Sequence, residues 1–121
     1  MRCTFAAVIL LATTIGALAQ EKPIDSYYAR LSDRDHFNSN GERLRSAAAI
    51  IRQDRANFHL YGKRDAEDDN DSFFSDKANR ARLETMVRNG HFYGGAESEI
   101  LNGTPLVHVE IYEDSVVVNL K

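Results

Sequence analysis

One carboxylate stands where a helix should be apolar. In IIRQDRANFHLYG, residues 50–62, side chains placed about 100° apart form a stripe of Ala47, Ile51, Phe58 and Tyr61, and Asp54 falls inside it. A carboxylate in a packed interface is costly unless it is paired or accepts several hydrogen bonds. Two chemistries follow. Asp54 is a structural clamp that accepts from an arginine or from backbone N–H groups, or it is a perturbed acid or base lining a pocket. The helical wheel of residues 78–87 places Asn79 among Leu83, Met86 and Val87. The expectation is therefore a structural polar network of Asp54, Asn79 and Arg55, with Arg80 or Arg82 nearby and no catalytic residue.

A second constellation lies just downstream. DAEDDNDSFFSD carries side-chain oxygens at Asp65, Glu67, Asp69, Asp71 and Asp76, the first, third, fifth, seventh and twelfth positions of a twelve-residue frame between two predicted helices. Hard oxygens at this spacing suit calcium. The frame departs from a calcium loop at Asn70, where glycine makes the sharp turn, at Ser72, and at Asp76, which is too short to stand in for a bidentate glutamate. The plainer expectation is a solvated loop whose late acids favour the start of the next helix, capped by Ser72 or Ser75, with Phe73 and Phe74 anchoring it to the core. As an acidic surface it would also suit a basic protein partner.

Other chemistry is sparse. Three of the four histidines adjoin phenylalanine (His36, His59 and His91), without H-x-H or H-x-x-x-H spacing, so phenylalanine is expected inward and histidine at the rim. No G-x-S-x-G occurs, and Ser39, Ser75 and Ser115 read as caps and turns. Asp54 with Asp33 or Asp35 could form a glycosidase-like pair, but nothing in the sequence brings them together.

The elements that must position these groups are legible from period. A minor N-terminal helix is expected in DSYYARLSDRDHF. A main helix runs from Glu42 to Tyr61, opened by a Ser39–Glu42 capping box and closed by Gly62. A second starts near Ser75 and ends at Asn89-Gly90, and a helical turn lies around Glu97–Leu101. The period then falls to two: Val107, Val109 and Ile111, then Val116, Val118 and Leu120, flank a turn at Glu113-Asp114-Ser115, a C-terminal antiparallel hairpin. The fold class is small α+β. An open hairpin edge at 115–121 would allow pairing with a partner or a second copy, a homodimer, although Asn119 and Lys121 blunt it.

The first twenty residues give an address. Arg2, the apolar run Phe5–Ala12 and the small residues Ala17 and Ala19 make a secretory signal over residues 1–19, with cleavage expected after Ala19. A short polar lead, 20–25, precedes one domain at 26–121. Cys3 is the single cysteine, so the mature chain has no disulfide and no cysteine chemistry, which points to a bacterial periplasmic or secreted setting. The whole chain carries a net charge of −3, which argues against nucleic acid as partner. Basic residues nevertheless gather at 43–64 and acids at 65–76. The function expected is that of an exported, non-enzymatic binding or accessory domain. A calcium-like cation module and a small carboxylate-dependent hydrolase are the alternatives.

Overall fold

The computed structural model describes residues 21–121; the signal segment expected over residues 1–19 lies outside them. The chain forms strand β1 (Asp25–Arg30), a 3₁₀ turn (Asp33–His36), helix α1 (Ala47–Leu60), helix α2 (Lys77–Asn89), a two-residue strand β2 (His91–Phe92), helix α3 (Ala96–Asn102), and strands β3 (Leu106–Ile111) and β4 (Val116–Leu120). The architecture is α+β, three helices on a four-stranded mixed sheet ordered β1-β3-β4-β2.

The hairpin forms where the alternation puts it. Val109 pairs with Val118 and Ile111 with Val116, and the alternate residues Val107, Val109, Ile111, Val116 and Val118 are fully buried under the helices. Burying such side chains contributes about 1.5–3 kcal/mol each, which makes this ladder the centre of the core. The helical turn expected near residue 97 is α3.

Two expectations are corrected at the N-terminus. The segment read as a minor helix is β1, antiparallel to β3, with Tyr27 opposite Val109 and Ala29 opposite Val107; Tyr27, Ala29 and Leu31 turn inward at successive alternate positions. Only Asp33–His36 winds, and as a 3₁₀ turn. The main helix begins at Ala47, not Glu42. The Asn38 carboxamide oxygen takes the N–H groups of Asn40 and Glu42, Gly41 adopts φ +78°, and the resulting turn holds Phe37 against Arg43. Ser46 caps α1 instead, its hydroxyl accepting from the Ala49 N–H at 3.1 Å. Such a cap contributes about 1 kcal/mol.

The hairpin has a further neighbour. β4 is flanked by β3 on one side, and β2 runs parallel to it on the other, pairing His91 with Val117 and Phe92 with Val118. Within the stretch 115–121, the outer edge is covered by β2 at Val117 and Val118. The close approach depends on Gly90, whose added Cβ would overlap the backbone carbonyl of Val116. Gly90→Ala is expected to cost about 2–4 kcal/mol, read as a lower denaturation midpoint at unchanged m-value; an unchanged midpoint would mean that β2 does not hold β4.

Candidate functional site

The inner face of α1 carries a buried charge cluster. Asp54, Arg55, Asn57 and Phe58 point between β1, the 3₁₀ turn and the 65–76 loop, and the Asp54 and Arg55 side chains are 2% and 0% exposed. Arg55 Nε donates to Asp54 Oδ2 at 2.8 Å. Its Nη1 donates to Asp71 Oδ1 at 2.8 Å and to the Asp69 carbonyl at 3.0 Å. The guanidinium is stacked 3.9 Å from the Tyr27 ring centre and 4.5 Å from that of Phe58, positions in which a desolvated cation gains from the ring quadrupole. Asp71 also takes His59 Nε2 at 2.8 Å and the Phe74 N–H at 2.6 Å. Among the described residues, Arg55 Nη2 and the Tyr27 hydroxyl are buried without a partner.

The electrostatics follow from crowding. Burial pushes the Asp54 carboxyl up to about 8; Arg55 pulls it down, and the negative charges of Asp35 and Asp68 push it further up. One guanidinium cannot neutralise every carboxylate around it. Burial also raises Asp35, against the hydrogen bonds from Asn57 and Ser32, and lifts the Tyr27 phenol well above its ordinary range. Asp35 accepts from Asn57 Nδ2 at 2.9 Å and from the Ser32 N–H at 3.0 Å. Asp54 and Asp35 are thus close enough to couple, yet both are sealed from solvent.

Asn79 does not join Asp54. Its amide donates to the Phe73 carbonyl at 3.0 Å, fastening the start of α2 to the loop, while Arg80 donates to the carbonyls of Phe74 and Ser75. Arg82 lies at the surface with Asp114. The rim position expected for histidine holds for His91, which is exposed. His36 is 2% exposed. Its Nδ1 lies 2.8 Å from the Ser32 carbonyl and its Nε2 2.7 Å from that of Ile100, tying the 3₁₀ turn to α3.

The acidic loop is fastened to the outer edge of β1. The Asp69 N–H donates to the Tyr28 carbonyl at 2.8 Å and Asp69 Oδ2 accepts from the Tyr28 N–H. Asp68 accepts from the Arg30 N–H at 2.8 Å and from the Asp65 N–H. Asp65 pairs with Arg34, Glu67 with Arg30, and Asp76, not Ser72 or Ser75, caps α2 by accepting from the Asn79 N–H. Phe74 is fully buried, edge-on to Tyr27. Asp65, Glu67, Asp69, Asp71 and Asp76 thus each face different partners, and no group of three or more His, Cys, Asp or Glu among the described residues is placed to hold a metal ion. Millimolar calcium is expected to leave the Tm unchanged. A rise of several degrees would mean that the loop leaves β1 to enclose the ion.

An accessible concave surface lies on the other flank of α1. A cleft of about 400 Å³ opens between the Phe37–Ser39 segment and the last turns of α1, with Arg34, Phe37, Gln53, Asn57, Tyr61 and Lys63 in its wall. Asp54 and Asp35 are not in the lining, although Asn57 separates Asp35 from it. A separate, smaller depression shares Asn38, Ser39, Gln53 and Tyr61 as walls and lies towards Arg52 and Glu84. Sequence reasoning missed this cleft, since it depends on where residues 37–39 pack; the run of basic residues at 43–64 was its one trace. No protein-family model, curated protein or solved structure matches the chain. No helix among the described residues is long and apolar enough to cross a membrane.

Proposed function

We propose that this chain is an exported, non-enzymatic binding domain that engages its ligand through the cleft beside Phe37 and Tyr61. One observation carries the reading: the coupled acids Asp54 and Asp35 are buried and hydrogen-bonded within the protein, whereas the cleft beside Phe37 and Tyr61 is walled by amides, aromatic rings and cations. Binding sites combine such apolar surface with a few fixed polar groups. General acid–base catalysis instead needs its titratable group within hydrogen-bond reach of substrate.

The export half of the proposal rests on the signal at residues 1–19, and N-terminal sequencing of the secreted or periplasmic protein is expected to begin at Gln20. The binding half is tested by adding cell-envelope extract to isotopically labelled protein. Resonances of Phe37, Gln53, Tyr61 and Lys63 are expected to shift, with no conversion of the extract. Product formation that Asp54→Asn abolishes in a folded protein would overturn it in favour of a hydrolase.

A further inference from the structure

We infer that the cleft takes a carboxylate-bearing saccharide, an inference that rests on the binding reading above and names its ligand class. Of the five large apolar side chains that stand exposed among the described residues, Phe37 and Tyr61 line this cleft, and Tyr61 is 55% exposed. A protein that can bury aromatic rings and instead presents two of them beside a cleft offers flat apolar faces to a ligand.

The polar lining is ordered in advance. Gln53 Nε2 donates to Asn57 Oδ1 at 2.9 Å, and Asn57 Nδ2 is held by Asp35. Asn57 is 5% exposed, so its orientation is fixed before any ligand arrives, which lowers the entropy cost of binding. Side-chain amides both donate and accept, as sugar hydroxyls do. The wall contains no strand edge, so an extended peptide would find no ladder of backbone groups to join. Rings to stack on and amides to bond to suit a saccharide better.

Charge selects among saccharides. The chain is acidic overall, yet the cleft lining holds Arg34 and Lys63 and no carboxylate. Arg34 is steadied by Asp65 at 3.0 Å, which offsets part of its charge, while Lys63 lies 5.8 Å from the Tyr61 ring centre and makes no ion pair among the described residues. About one net positive charge remains. That residual positive charge favours an acidic saccharide over its neutral ester.

The test titrates the mature protein with trigalacturonate, with its fully methyl-esterified form, and with a tetraglutamate peptide, followed by calorimetry and by the resonances of the cleft. Trigalacturonate is expected to bind at least tenfold more tightly than either comparator. Tyr61→Ala and Lys63→Gln, both at exposed positions, are each expected to weaken it at least tenfold with the Tm unchanged. Equal affinity for the ester would show that charge is not read, equal affinity for the peptide that the sugar ring is not, and either result overturns the inference. If trigalacturonate leaves the cleft resonances unmoved while envelope extract shifts them, the ligand class is wrong and the binding reading stands. If neither moves them, both fall.

Discussion

Arg55→Ala is expected to cost about 3–5 kcal/mol, enough to unfold much of a domain whose total stability is on the order of 5–10 kcal/mol. The side chain is fully buried, bonds Asp54, Asp71 and the Asp69 carbonyl, and fills the space between two aromatic rings. Truncation leaves a cavity and at least one buried carboxylate without its cation. Urea denaturation measures the loss directly. The double change Asp54→Leu with Arg55→Met removes both charges and restores volume, so it is expected to be milder than Arg55→Ala alone. If the double variant is instead less stable than the single one, the clamp is a net source of stability and not only a pair that must stay together.

Raising the pH from 5 to 8.5 is expected to destabilise the protein by about 2–4 kcal/mol. Asp54 is pushed up to about 8 in the folded state, above the ordinary carboxylate value of the unfolded chain, so between these values the native state binds the extra proton. Stability from this group is therefore full below about pH 4 and is lost as pH climbs through 8. Asp35, also raised, acts with the same sign. Asp54→Asn keeps an oxygen for Arg55 Nε but has nothing to titrate. Thermal melts of the variant are expected to show a much flatter pH dependence and, at pH 8.5, a Tm at or above that of the parent. A parent protein more stable at pH 8.5 than at pH 5 would refute this assignment.

How much of this was written in the sequence depends on the range of the interaction. α2, α3 and the hairpin follow local period, and they stand where the pattern puts them. The burial of Asp54 was legible because the wheel needs only its own helix. Arg55 was expected in its network and does pair with it, but Asn79 faces the Phe73 carbonyl instead, and the closure of Asp71 and Tyr27 round Arg55 depends on contacts distant in sequence. The alternation of Tyr27, Ala29 and Leu31 is present in the sequence, but the polar residues between and beyond them equally suit a short helix, and pairing with β3 decides the matter. Likewise the Ser39–Glu42 box is a sound local signal overruled by Asn38 and Gly41. The cleft inherits this problem, because one of its walls is the segment that the misread N-terminal element delivers.

The pairing of β1 with β3 also governs when the domain can form. Asp25 meets Ile111 and Arg30 meets Leu106, so the first strand to be made waits for nearly the last. Contacts of such long sequence separation slow folding. A chain that leaves the ribosome from its N-terminus keeps β1 unpaired until Leu106–Ile111 has emerged. Until then the sheet has no neighbour for its first strand, and Tyr27 and Ala29 have no inner face to pack on.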